Sequence, residues 1–156
     1  MKFELLRSSH SVGEANYHIQ LTAAYRRDIF EDELVRILTR DYLLAAGNRH
    51  GITLAALGFG TNHCHLFTTS CKNHGAADVA RLLKGFSSYM MRKHHKDLFV
   101  DKLYGKKFWT SGYFYRTVGA VNAATVEKYV AQSQSKHWKV SSGVQKQLIE
   151  FAANCQ

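Results

Sequence analysis

Two histidines one residue apart, His63-Cys64-His65, are the first groups in the chain whose type and spacing could do chemistry. Alternate side chains of an extended strand point the same way, so both imidazoles would leave one face and Cys64 the other. Two nitrogen ligands on a rigid strand suit a metal ion. A chain with nine His also produces such a pair by chance, and taken alone a structural role stands slightly ahead. A structural zinc centre is disfavoured, because it wants a further Cys or His pair at short spacing and Cys71 and His74 do not supply one. A second group, Glu127 to Gln134, holds Tyr129, Gln132 and Gln134; by itself Tyr129 reads as one more amphipathic residue packed on a sheet. A third group is basic and aromatic. Arg26, Arg27, Arg81, Lys84, Arg92, Lys106 and Lys107 could contact phosphates, and Phe108, Trp109 or Tyr113 could stack on unpaired bases. The commoner fate of a basic helix face is plain solvation, and that of a residue such as Trp109 or Tyr113 is packing in or near the core.

These groups need elements to carry them. Tyr17, Ile19 and Leu21 alternate along Tyr17–Thr22, as in a half-buried strand; they fit either core packing or a dimer edge. Between Glu31 and Asn48, Leu34, Val35, Leu38, Tyr42, Ala45 and Ala46 recur at helical spacing, and Gly47 or Gly51 offers a stop. Ile52–Phe59 and His65–Thr69 are short apolar runs around the turn formers Gly60, Thr61 and Asn62, which predicts a hairpin whose second strand opens with the His pair. A second helix spans Ala77 to about His95, with Val79, Leu82, Leu83, Phe86 and Met90 on its apolar stripe and Arg81, Lys84, Ser88 and Arg92 on a polar one. The latter face could follow a phosphate backbone. Asp97 to Ser111 reads as a surface loop and Gly112 to Val118 as a strand. Asn122 can cap a third helix running to about His137, and a short amphipathic helix follows from Val144.

The 156 residues are expected to form a single domain with a core at about 15–137 and an extension at 138–156. Hydrophobic residues make up 46% and charged residues 21%, near the globular average, which argues against a disordered tail. The longest uncharged apolar run, Gly51 to Gly60, falls far short of the roughly 20 residues of a spanning helix. The start lacks a signal-peptide apolar region, and three Cys without a Cys-x-x-Cys pair fit reduced thiols, so a cytoplasmic location is expected. A formal charge of +9 favours a polyanionic partner, nucleic acid above all.

Several of these segments together resemble one family in order and spacing. They are Tyr17–Leu21 with Arg26 and Arg27, Gly60–Phe67, Arg81–Ser88, Phe108-Trp109 with Gly112–Phe114, Thr117–Gly119 and Lys128–Val130. The family is that of the single-tyrosine HUH transposases, small insertion-sequence enzymes that act on single-stranded DNA, and the resemblance runs from about residue 15 to 137. It implies that Tyr129 is the nucleophile, that His63 and His65 ligate Mg²⁺ or Mn²⁺, and that the break leaves a 5′-phosphotyrosine and a free 3′-hydroxyl. The bond to protein would conserve the phosphodiester energy for rejoining. A phenol with a pKa near 10 is about one part in a thousand ionised at neutral pH, so charge stabilisation is required. The family also has a metal-binding Gln four residues after the tyrosine, where this chain has Ser133. Gln132 and Gln134 lie about 60° and 140° from Tyr129 around a helix, which makes Gln132 the better-placed substitute, with Ser133 or a water as other ways to fill the position.

The order of elements predicts an α+β fold, an antiparallel sheet with helices on one face, like a ferredoxin or RNA-recognition module. By resemblance the partner is single-stranded DNA with hairpin ends, and the expected assembly is a homodimer with active sites shared between subunits. The expected function is cleavage and rejoining of single-stranded DNA. The alternatives are a host-retained relative that nicks hairpins, a non-catalytic nucleic-acid-binding module on the same fold, and a metal hydrolase that releases free ends.

Overall fold

A computed structural model describes residues 5–119 together with Ala124 and Lys128. Tyr129, Gln132, Ser133, Gln134, most of the expected third helix and the C-terminal helix lie outside the described residues. The chain opens with a two-residue ribbon, β1 (Leu6–Arg7) and β2 (Val12–Gly13), which the sequence did not announce. The main body follows in the order β3 (Asn16–Thr22), α1 (Glu33–His50), β4 (Thr53–Phe59), β5 (His63–Thr69), α2 (Ala76–His94) and β6 (Phe114–Val118). This is the β-α-β-β-α-β order, and the sheet runs β4-β5-β3-β6 with every described pairing antiparallel. The α+β expectation therefore holds. Among the described residues no helix is long and apolar enough to cross a membrane.

The register shows how one face of this sheet becomes the core. Leu21 pairs with Cys64 and Ile19 with Leu66, and all four are fully buried. They join Val35, Leu43 and Ala46 of α1 and Val79, Leu83 and Met91 of α2 in one apolar cluster. Ile19 and Leu21 are thus core residues, and β3 is hydrogen-bonded on both sides, by β5 and by β6. The dimer-edge reading of Tyr17, Ile19 and Leu21 is corrected accordingly: an inner strand has no free edge to offer.

Helix α1 starts where the side chain of Asp32 accepts from the backbone N–H groups of Leu34 and Val35, satisfying two donors that have no partner inside the helix. It ends at Gly51, whose φ of 68° is left-handed and suits glycine. Gly47 has a different task. A Cβ there would stand 2.6 Å from the carbonyl oxygen of Ile52 and 2.6 Å from Leu54 Cδ1, so the helix can approach β4 only because the side chain is missing. The buried stripe of α1 is Val35, Thr39, Leu43 and Ala46, with Leu38 and Tyr42 packed beside it, and Leu34 is exposed.

The segment 97–111 is irregular, as expected, yet it is no surface loop. Phe99, Leu103, Phe108 and Trp109 are buried, with Phe108 and Trp109 edge-on to each other and both against Phe30. Trp109 Nε1 donates to Ser87 Oγ, which itself donates to the carbonyl of Leu83, so a buried indole and a buried hydroxyl satisfy each other. Cys64 and Cys71 are free, buried thiols, and burial pushes the pKa of both upward.

Gly47→Ala is expected to destabilise the protein by about 1–3 kcal/mol, the usual cost of forcing extra atoms into a packed site. A urea midpoint lowered at unchanged slope checks this; an unchanged midpoint contradicts the close approach.

Candidate active site

The sheet face opposite the core carries the His pair. His63 pairs with Thr22 and His65 with Gln20, so these residues, together with His18 two positions along β3, leave the same face. The His63 and His65 rings lie 5.0 Å apart between centroids, nearly perpendicular. His63 is 6% exposed and His65 half-buried.

Three neighbours fix these rings. Gly60 lies beneath His63: a Cβ at that position would come within 2.9 Å of both ring nitrogens. Asn62 Oδ1 sits 2.8 Å from His63 Nδ1. His18 Nε2 sits 3.0 Å from His65 Nδ1, the two rings stacked at 26° with centroids 5.2 Å apart. Burial, and after it the charge of Arg116 across the strand, holds the His18 imidazole pKa below its ordinary value, which favours the neutral ring. None of these three was singled out in the sequence. Gly60 and Asn62 read as turn formers, and His18 becomes visible only once the register of β3 on β5 is known.

Among the described residues no three His, Cys, Asp or Glu side chains converge on one point. The His pair offers two imidazole nitrogens, a donor type that divalent transition-metal ions accept. Tyr129, Gln132, Ser133 and Gln134, expected to complete the site, lie outside the described residues.

The expected DNA-contacting residues separate into two groups. Arg26, Arg27, Arg81, Lys106, Lys107 and Tyr113 are exposed. Arg26 and Arg27 follow Tyr25 on a turn where Tyr25 and Arg26 both have left-handed φ, 57° and 52°. The turn borders the His pair, since Asn62 Nδ2 donates to the Arg26 carbonyl at 3.5 Å. Lys84 and Arg92 instead brace the 97–112 segment. Lys84 Nζ donates to the carbonyls of Ser111 and Gly112, and Arg92 to those of Leu103 and Lys107, its guanidinium lying over the Phe99 ring. The continuous basic stripe expected on α2 is broken because two of its members serve as internal donors. Trp109 and Phe108, buried as described, are not available for base stacking, which leaves Tyr113.

With this geometry in place, comparison with known proteins is decisive. The profile of the family described as "Transposase IS200 like" matches residues 11–133, most of the chain. The chain belongs to the IS200-like transposase family. That membership makes it a transposase, an enzyme that cuts DNA. Among solved structures, a Deinococcus radiodurans R1 protein presented as a candidate transposase superposes with a TM-score of 0.64 at 24% identity, covering 83% of this chain and 98% of its own. A REP-associated tyrosine transposase bound to a REP hairpin superposes with a TM-score of 0.58 at 13% identity, covering 86% of this chain and 74% of its own. At these identities the likeness establishes the fold. No curated protein sequence matches the chain.

Gly60→Ala is expected to push the His63 ring off its present position while the fold is kept. The His63 imidazole resonances should move in a ¹H–¹³C spectrum with the far-UV circular dichroism unchanged; unmoved resonances would contradict the role of Gly60 as the floor beneath the ring.

Proposed function

We propose that this transposase cleaves and rejoins single-stranded DNA at hairpin-flanked ends through a covalent 5′-phosphotyrosine on Tyr129, with a divalent ion, Mg²⁺ or Mn²⁺, at His63 and His65. The observation that carries the proposal is the adjacency of two imidazoles on one sheet face, each ring backed by a polar neighbour. Such backing is the usual environment of metal-ligating histidines. The hairpin-bound state of a fold relative supports the choice of substrate.

An ion held there would polarise the scissile phosphate and stabilise charge in the transition state. The chain's own residues supply the remainder. The Tyr129 oxygen forms a bond to phosphorus as the bond to the 3′ oxygen breaks; the phenolic proton is lost and the departing 3′ oxygen gains one, leaving a 3′-hydroxyl. Attack by a 3′-hydroxyl on the phosphotyrosine reverses these steps and rejoins strands. Gln132 is proposed as a further ligand of the ion. Arg26 and Arg27, exposed on the turn bonded to Asn62, would hold phosphates of the strand entering the site, while Arg81, Lys106 and Lys107 would extend the basic surface and Tyr113 would offer a stacking ring. Following the family resemblance, the working unit is a homodimer in which the tyrosine of one copy meets the His pair of the other.

The test mixes protein, Mn²⁺ or Mg²⁺ and hairpin-bearing single-stranded oligonucleotides labelled on either side of the break, resolved on a denaturing gel. A metal-dependent adduct carrying only the label placed downstream of the break is expected, its DNA joined to the protein through a 5′-phosphate, while the upstream label leaves on a strand ending in a 3′-hydroxyl. Tyr129→Phe should abolish it while DNA binding and its salt dependence persist. Free ends without adduct would indicate a hydrolase, and binding without cleavage a non-catalytic module; both contradict the proposal.

A further inference from the structure

Asn62 touches two things at once. Its Oδ1 lies 2.8 Å from His63 Nδ1, and its Nδ2 lies 3.5 Å from the carbonyl oxygen of Arg26. A backbone carbonyl accepts and never donates, so the half of the carboxamide facing Arg26 must be the NH₂. Flipping the amide would set two oxygens against each other, which fixes the assignment from the hydrogen-bond network. The half facing His63 is then an oxygen, which also only accepts. His63 must therefore donate from Nδ1, and in a neutral ring that leaves the lone pair on Nε2. The ring has little freedom to do otherwise, with Gly60 close beneath it and 6% of the residue exposed.

We propose that Asn62 is the positioning residue of His63: it locks His63 in the Nδ1–H tautomer and so commits Nε2 to the ion, while tying His63 to the Tyr25–Arg27 turn. The inference rests on the proposed role of His63 as a ligand and deepens it. The same amide restrains a turn in which two successive non-glycine residues hold left-handed backbone angles, a conformation that persists only where the surroundings enforce it. Other parts of that enforcement are the bonds from Ala23 N–H to the Asn62 carbonyl and from Thr61 Oγ1 to Asp28. One side chain thus sets the ligand nitrogen and the placement of two arginines beside it. Ligand and DNA-facing turn are built as a unit.

Two variants separate the functions of the amide. Asn62→Asp keeps an acceptor for His63 Nδ1 and removes the donor to Arg26; Asn62→Ala removes both. The tautomer of His63 is read in metal-free protein by long-range ¹H–¹⁵N correlation, with the fold checked by the amide spectrum, and Mn²⁺ affinity is measured by calorimetry. Wild type and Asn62→Asp are expected to show the Nδ1–H form, whereas Asn62→Ala should lose it and bind Mn²⁺ about 10- to 100-fold more weakly, the usual effect of removing a group that backs a ligand. An Asn62→Ala protein that keeps the Nδ1–H tautomer would overturn the proposal, as would Asn62→Asp behaving like Asn62→Ala in its tautomer. Failure of the wild type to bind Mn²⁺, with the tautomer pattern as expected, would leave the positioning of His63 standing and refute the metal reading instead.

Discussion

Everything on the face that bears the His pair depends on the register between β3 and β5. Because strand side chains alternate with a period of two, a slip of one residue would turn His63 and His65 into the core and bring Cys64 and Leu66 out. The opposite face prevents this. Ile19, Leu21, Cys64 and Leu66 are fully buried against both helices, and each large aliphatic side chain returned to water would cost about 1.5–3 kcal/mol. The His pair is thus held by apolar contacts made on the far side of the sheet, which leaves the polar face free to be specialised.

That face is specialised by small features. A missing side chain at Gly60 makes room for the His63 ring, a turn residue holds its nitrogen, and a histidine on the neighbouring strand stacks on His65. The charge balance is divided in the same economical way. Lys84 and Arg92 are consumed in bracing the segment that delivers Phe108 and Trp109 to the core. Burial, and beyond it the nearby charge of Lys107, lowers the Lys84 pKa, the expected sign for an ammonium withdrawn from water. Arg26, Arg27, Arg81, Lys106 and Lys107 remain exposed and sustain the field that a polyanion would meet.

The strands and helices of the main body were legible because their periods differ: Ile19 and Leu21 alternate, while Val35, Leu43 and Ala46 recur by helical turns. Leu34 misled because exposed leucines are ordinary on a helix surface. The 97–111 segment misled because its lysines suggested solvent, although its apolar residues reach inward from an irregular backbone that has no period to read. Within the site, the His pair drew attention by its spacing but needed the ordered set of motifs around it to read as a ligand pair, whereas His18 and Asn62 were not visible at all. Contacts between residues 47 apart in sequence, or between a turn amide and a distant carbonyl, depend on pairing that spacing does not encode. The role expected of Tyr129 came from family resemblance and that expected of Gln132 from its angle around a helix, since the family's glutamine position holds Ser133; all three lie outside the described residues.

The most direct test of a divalent ion held by two imidazoles is electron spin-echo envelope modulation of Mn²⁺ bound to protein labelled with ¹⁵N in histidine. Couplings from two imidazole nitrogens are expected, reduced to one in either His63→Ala or His65→Ala. Bound Mn²⁺ with no nitrogen coupling, or with couplings that neither substitution changes, would contradict it.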